Sequence, residues 1–187
     1  RDMEGSRGLG DVYKRQVSDG SITNDATIEL TFTSSKFTSN FVVDDITVSN
    51  GSLSNFSGSG TTYTATFTPT TVGATTINVA GDTFTDAIGN NNTAASEFNW
   101  TYDNVQPTIT ITSTTSGVTD GSTTNDSTIS LTFTSSKATS NFLISDITTS
   151  GGSLSNFSGS GTTYTATFTP TTAGATTINV AGDTFTD

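Results

Sequence analysis

Carboxylates are the main candidates for acid–base catalysis or metal binding in this sequence, because it contains no His and no Cys. Without them, Ser–His and Cys–His catalysis, disulfides and cysteine metal sites are excluded. Asp44 and Asp45 form the only adjacent acidic pair, but in an extended strand their side chains point to opposite faces. The second half of the chain carries Ser145 at the position that aligns with Asp44. We therefore interpret the pair as solvated turn charges and predict that the protein is not an enzyme.

Calcium is the metal ion that the remaining residues suit. Its ligands are carboxylate, amide and backbone carbonyl oxygens, and the acidic residues lie at the ends of predicted strands. One group is expected where the chain enters its second half (Asp103, Asp183 and Asp187), and another near the start of the first half (Asp19 and Asp25). The spacing is not that of an EF-hand. The alternative is that these carboxylates cap turns and keep the protein soluble.

Two glycine-rich segments could be mistaken for phosphate-binding loops, Gly58-Ser59-Gly60 and Gly159-Ser160-Gly161. Neither is followed by the Gly-Lys-Ser/Thr of a P-loop, and both lead into Thr-Thr-Tyr. Tyr and the β-branched Thr are typical of strands. We therefore predict a hairpin turn at each segment.

A tandem repeat positions all of these residues. Residues 125–187 repeat residues 24–86 at a constant offset of 101 without a gap, and 54 of the 63 aligned positions are identical. Most of the nine differences are conservative, and the largest is Phe37 against Ala138. A period near 100 residues exceeds the roughly 20–50 residues of a solenoid repeat. It matches the size of a whole small domain.

Each copy is predicted to be all-β. The chain is rich in Thr and contains 12 Phe, and β-branched and aromatic residues favour strands over disorder. Short segments alternate between apolar residues and polar ones, as at Ile129, Leu131 and Phe133, and turn residues separate them. About seven such segments occur in each 101-residue unit, and none has helical periodicity. This pattern predicts two tandem immunoglobulin-like antiparallel β-sandwich domains.

Residues 1–16 do not follow this pattern. They contain four of the six basic residues, and Asp11–Gln16 resembles a translated sequencing-adapter sequence. We interpret them as an artefactual leader on a reading frame assembled from environmental DNA, with a natural basic linker as the alternative. Three of the 17 acidic residues also lie there, which leaves 14 acidic and 2 basic residues in 17–187. A chain this acidic is not expected to bind nucleic acid or anionic membrane surfaces. The sequence contains no run of 18 apolar residues, so it predicts no membrane-spanning helix.

The repeat also predicts the domain boundaries. Repeat one spans 17–103, a linker spans 104–106, and repeat two spans 107–187. The strand predicted at Pro107–Thr112 has no counterpart at Ser6–Val12, and the strand at Phe98–Tyr102 has none in the second copy. Repeat one is therefore expected to lack its first strand and repeat two its last. Each gap would leave an unpaired sheet edge, and we expect the second copy to be the less stable.

The motifs around the predicted strands resemble those of a known family. Phe-Thr-Pro-Thr-Thr-x-Gly precedes Thr-Ile-Asn-Val-Ala-Gly-Asp-Thr-Phe-Thr-Asp in both copies, and the first copy continues with Ala87–Asn90 and Trp-Thr-Tyr-Asp before Pro107. Residues 17–187 thereby resemble the bacterial Ig-like repeats of large surface adhesins. The resemblance implies a repetitive extracellular stalk. It also implies calcium at the junctions between domains, where the ion stiffens the rod.

We therefore expect non-catalytic spacer repeats of a large secreted or cell-surface bacterial protein. The expected partners are neighbouring repeats of the same chain, with any host surface or glycan bound by other domains. One alternative is a module that itself binds a glycan or a host protein through loop residues such as Phe37, Tyr63 or Tyr164. The change from Phe37 to Ala138 argues against a site shared by both copies. The other alternative is an accessory domain of an extracellular enzyme.

Overall fold

The computed structural model describes residues 17–187, which form two units. The first unit extends to Val105, and the second runs from Gln106 to Asp187. Both are built from β-strands, and the helical content of the described residues is two single 3-10 turns, Val43–Asp45 and Ile144–Asp146. The predicted all-β immunoglobulin-like fold is confirmed. The predictions for residues 1–16, including the missing strand at Ser6–Val12, lie outside the described residues.

The first unit, over the residues described, places its strands in two sheets. One sheet has the order β1-β6-β5-β3, and the other pairs β2 with β4. β1 runs parallel to β6, whereas the other pairings are antiparallel. The strands are β1 (Ile22–Thr23), β2 (Ile28–Thr38), β3 (Ile46–Ser49), β4 (Gly51–Pro69), β5 (Gly73–Val79) and β6 (Phe98–Tyr102).

β4 folds back on itself and so supplies two strands to its sheet. Its 19 residues would span roughly 60 Å as one straight strand. Instead, the Thr70 amide just after it donates to the Asn50 carbonyl just before it at 3.1 Å. Ser57 Oγ and Thr64 Oγ1 lie 3.2 Å apart across the fold. The reversal follows Gly58, whose φ of +134° favours glycine. The predicted hairpin is confirmed.

The second unit repeats this plan. Its sheets have the orders β10-β8-β7 and β11-β9. β10 is as long as β4 and pairs antiparallel with β8. Among the described residues, β7 has no counterpart in the first unit and β6 has none in the second. The strands are β7 (Ile109–Ser113), β8 (Ile129–Thr139), β9 (Ile147–Ser150), β10 (Gly152–Pro170) and β11 (Thr177–Val180).

Each unit buries a core of its own between its two sheets. Phe67 and Phe168 occupy equivalent positions, and both are fully buried. Trp100 of β6 packs edge-on against Phe67, with ring centroids 4.9 Å apart. The first core contains Ile28, Leu30, Phe41, Ile46, Tyr63, Phe67, Ile77, Val79 and Trp100. The second contains Ile129, Leu131, Phe133, Phe142, Ile147, Tyr164, Ala166 and Phe168.

Candidate functional site

In the first unit, the aspartates predicted to bind calcium hold backbone segments beside β6. Asp19 Oδ1 accepts the Asn99 amide at 2.7 Å, and Asp25 Oδ2 accepts the Thr23 hydroxyl at 2.6 Å. Asp103 follows β6, and its own amide donates to the Thr23 carbonyl at 3.0 Å. Its carboxylate accepts the amide two residues further on at 3.0 Å. The carboxylates of Asp25 and Asp103 therefore make local contacts, whereas that of Asp19 joins two segments that are 80 residues apart.

The two aspartates of the second unit have partners of a different kind. Asp183 Oδ1 accepts the side-chain amide of Gln106 at 3.0 Å. Asp187 Oδ2 lies 2.8 Å from Lys137 Nζ. Across residues 17–187, no group of three or more acidic side chains is arranged to hold a metal ion. Calcium binding by these aspartates therefore stays a prediction, which is supported by the chemistry of their carboxylates and by the resemblance.

One ion pair recurs in both units, and the sequence analysis missed it. Lys36 Nζ lies 3.0 Å from Asp86 Oδ2, and Lys137 Nζ lies 2.8 Å from Asp187 Oδ2. The two lysines are the only basic residues in 17–187. Each repeat therefore contains one basic residue, whose ion pair connects the end of a long strand to a distant loop. Each Lys precedes its Asp by 50 residues, but this equal spacing follows from the repeat and does not by itself indicate a contact.

Asp86 also organises the loop in which it lies. Its Oδ1 accepts the amides of Ile88 and Asn90 at 3.1 and 2.9 Å, and its Oδ2 accepts the Asn90 side-chain amide at 2.9 Å. The hydrogen bonds from Asn90, and then the contact with Lys36, hold the pKa of Asp86 well below its usual range. Because Lys36 is largely exposed, solvent screens the ion pair. Asp86 is therefore an ionised loop anchor and not a proton donor.

The exposed surface that could contact a ligand differs between the units. Phe37 is 60% exposed and Ile88 is 85% exposed. They flank the Lys36–Asp86 pair in a shallow depression. The second unit has Ala138 in place of Phe37. Single exposed apolar side chains are common on soluble proteins, so the depression is weak support for a binding site and no support for one that both units share.

Tyr63 and Tyr164 are core residues, and the expectation that they lie in loops and could contact a ligand was wrong. Both are only 4% exposed. Their hydroxyls donate to the carbonyls of Thr38 and Thr139 at 2.9 and 2.8 Å. Each Tyr belongs to the alternate set of β4 or β10 residues that faces inward, because a strand directs successive side chains to opposite faces.

A cleft of about 1280 Å³ lies along β2 in the first unit, as far as the described residues define it. Phe32 and Phe41 line it, together with the loop at 90–96. In the second unit, β7 occupies the equivalent side of β8, where Ile111 pairs with Phe133. The cleft thus corresponds to the position of an edge strand. With no His or Cys in the chain, its lining offers no nucleophile activated by either.

Both units of the fold match a known protein family. A family model described as a bacterial Ig-like domain matches the chain twice, over residues 14–102 and 103–187. No curated protein and no solved structure matches the chain. Domains of this family are non-catalytic and typically occur in extracellular or surface proteins. Within residues 17–187, no helix is long and apolar enough to cross a membrane.

Proposed function

We propose that this chain, which belongs to the bacterial Ig-like domain family, provides spacer repeats in a secreted or cell-surface adhesin-like protein. In this role each domain folds on its own core and contributes length, while other parts of the protein contact the partner. The observation that carries the proposal is the pattern of difference between the two units. Between residues 24–86 and 125–187, no residue that is buried in either unit differs, and the differences lie at exposed or half-buried positions.

The nine differing positions support this proposal directly. None of them is buried in either unit. Two of them change the surface charge, Glu29 to Ser130 and Asp44 to Ser145, and one removes the exposed ring of Phe37. A binding site that both copies used would require the same exposed residues in each. A spacer requires only the fold, and the fold depends on the core.

The surface charge also suits a spacer. Residues 17–187 carry 14 acidic and 2 basic residues, and both lysines are engaged in ion pairs. Like charge on neighbouring copies opposes their association. Nearly identical tandem domains otherwise risk pairing with each other while they fold.

Arrays of complete repeats test the spacer role. Joining residues 107–187 to residues 87–106 gives a 101-residue repeat that contains the equivalents of β7 and β6 together. We expect the maximum dimension from small-angle X-ray scattering to rise by a constant increment for arrays of two, four and six such repeats. The same series in high salt controls for charge repulsion between copies. A maximum dimension that stops growing with repeat number would contradict the proposal.

A second candidate function, a ligand-binding module, is supported by the exposed Phe37 and Ile88. The test is a glycan array probed with the full chain and with Phe37→Ala, which makes the first unit resemble the second at this position. The spacer proposal predicts that neither protein is retained. Retention of the full chain that is lost in Phe37→Ala would favour the binding module.

Calcium binding by Asp19, Asp25, Asp103, Asp183 and Asp187 stays a prediction. An ion that binds only the folded state raises the melting temperature. Thermal unfolding in millimolar calcium and in excess chelator therefore tests it. Equal melting temperatures in the two conditions would rule the hypothesis out.

A further inference from the structure

The turn that joins β3 to β4, and its counterpart between β9 and β10, restricts the residues at two successive positions. At the first position Asn50 has a φ of +53° and Gly151 a φ of +72°, the left-handed region that glycine and asparagine tolerate best. At the second position a Cβ on Gly51 would lie 2.2 Å from Phe67 Cζ, and Gly152 is confined in the same way. The fold therefore requires glycine at the second position and favours asparagine or glycine at the first.

The two repeats satisfy this requirement with different dipeptides. The first repeat has Asn50-Gly51, which is the only Asn-Gly in the chain, and the second has Gly151-Gly152. Asparagine deamidates most readily before glycine, because glycine has no side chain to obstruct the attack of its amide nitrogen on the preceding carboxamide. The first repeat therefore contains a chemically labile dipeptide at a position where the second repeat has an inert one.

The side chain of Asn50 connects this turn to the turn that follows β4. Its Oδ1 accepts the Thr71 amide at 3.2 Å and the Thr71 hydroxyl at 2.6 Å. Its Nδ2 donates to the Thr71 carbonyl at 2.7 Å. In the second unit Gly151 can offer only backbone groups, and its carbonyl accepts the Thr171 amide at 3.0 Å. The Asn50–Thr71 tether is thus an additional contact of the first unit.

We propose that Asn50 is a site of spontaneous deamidation, which breaks the Asn50–Thr71 tether in the first repeat and has no counterpart at this turn of the second. The Gly51 amide nitrogen attacks Cγ of Asn50, and the new C–N bond closes a succinimide ring. The side-chain nitrogen leaves as ammonia with the proton from the Gly51 amide. Water then opens the ring. Cleavage between the nitrogen and Cγ gives aspartate, whereas cleavage between the nitrogen and the backbone carbonyl carbon gives isoaspartate.

Either product weakens the first unit. A carboxylate cannot donate to the Thr71 carbonyl as Nδ2 of Asn50 does, and its negative charge is repelled by the carbonyl oxygen. Isoaspartate also adds a methylene group to the main chain directly before Gly51, which has no free space beside Phe67. We therefore expect deamidation to lower the melting temperature of the first unit and to leave the second unit unchanged.

The Asn50–Thr71 tether also controls the rate. The side chain of Asn50 must leave Thr71 before Cγ can meet the Gly51 nitrogen, so the reaction proceeds from a locally opened turn. Each of the two hydrogen bonds with the Thr71 backbone is worth roughly fivefold in that opening. The folded chain should therefore deamidate about 30-fold more slowly than a synthetic peptide of residues 46–54.

Peptide mapping by mass spectrometry, with fragmentation that distinguishes isoaspartate from aspartate, tests the proposal on the full chain in mildly alkaline buffer. We expect conversion at Asn50 to both products. Asn55 is an internal control, because it has the same φ of +53° but precedes Phe56. It should keep its amide over the same period.

Variants of the chain provide matched controls. Thr71→Val removes the hydroxyl that donates to Asn50 and should speed deamidation about fivefold. Thr172→Val makes the same change at the equivalent position of the second unit and should leave the rate unchanged. Asn50→Gly introduces the residue that the second repeat already has. After ageing, Trp100 emission should report a lowered melting temperature in the unsubstituted chain and none in Asn50→Gly.

Four results would overturn the proposal. Conversion of Asn50 that is absent over several times the interval expected from the peptide rate, or no faster than at Asn55, would show that the site is inert. Equal rates in the folded chain and the peptide, or in Thr71→Val and Thr172→Val, would show that the Asn50–Thr71 tether has no effect. An unchanged melting temperature of the fully converted first unit would show that the modification does not weaken it. The spacer role depends on none of these outcomes, because it rests on the length that each repeat contributes.

Discussion

Gly51→Ala is expected to destabilise the first unit by a steric clash. A Cβ at Gly51 would lie 2.2 Å from Phe67 Cζ and 2.6 Å from the Thr68 carbonyl oxygen. Phe67 is fully buried and packs edge-on against Trp100, so its ring has no free space into which to move. Overpacking of this kind costs about 1–3 kcal/mol of unfolding free energy. In a domain of this size, each kcal/mol lowers the melting temperature by about 4–8 °C.

Intrinsic fluorescence can isolate this effect, because Trp100 is the only Trp in the chain and lies in the first unit. Thermal unfolding of the full chain, followed at Trp emission, should give the lowered melting temperature of the variant. Calorimetry of the same sample should show the transition of the second unit unchanged.

Gly81→Ala is the matched control for this experiment. Its Cβ would meet its nearest neighbour, the Ala94 amide nitrogen, at 3.4 Å, which is an ordinary contact. Equal melting temperatures for Gly51→Ala and Gly81→Ala would refute the packing argument. A shift of both transitions by Gly51→Ala would refute the independence of the two cores.

Three further predictions follow from the described contacts. Tyr63→Phe and Tyr164→Phe should each lower the unfolding free energy of their own unit by about 1 kcal/mol in urea titrations, because a buried hydroxyl–carbonyl hydrogen bond is lost; unchanged midpoints would contradict this. Trp100→Ala should cost the first unit about 3–5 kcal/mol in calorimetry and leave the second unit unaffected. The lowered pKa of Asp86 means that the stability it contributes is present above its unfolded pKa of about 3.9 and is lost as the pH falls further. Asp86→Ala should therefore lose stability at pH 7 and show a shallower acid transition, unlike the solvated control Asp44→Ala; identical profiles for the two variants would count against the anchor role.

The strands and the hairpins could be predicted because alternation in the sequence reports which face of a strand is buried. Ile28 and Leu30 show it in β2, and the Gly-Ser-Gly segments identified the reversal within β4 and β10. The same alternation should have placed Tyr63 in the core, since it shares a face with the buried Ala65 and Phe67. The expectation that it is a loop residue overlooked this alternation.

The contacts of charged residues could not be predicted in the same way. Lys36 and Asp86 meet across 50 residues of chain, and no local pattern encodes that distance. The aspartates at strand ends suited either calcium or turn capping, because both use the same carboxylate oxygens. Only the fold shows that Asp19 accepts an amide 80 residues away.

Single-molecule stretching of the full chain tests most directly whether each repeat is a self-contained domain, as a spacer requires. Residues 17–105 and 106–187 each comprise some 80–90 residues, which would release roughly 300 Å of extended chain at about 3.6 Å per residue. The account predicts two separate unfolding events of about that length. One event that releases roughly 600 Å would mean that the two repeats share a single cooperative core, and would contradict it.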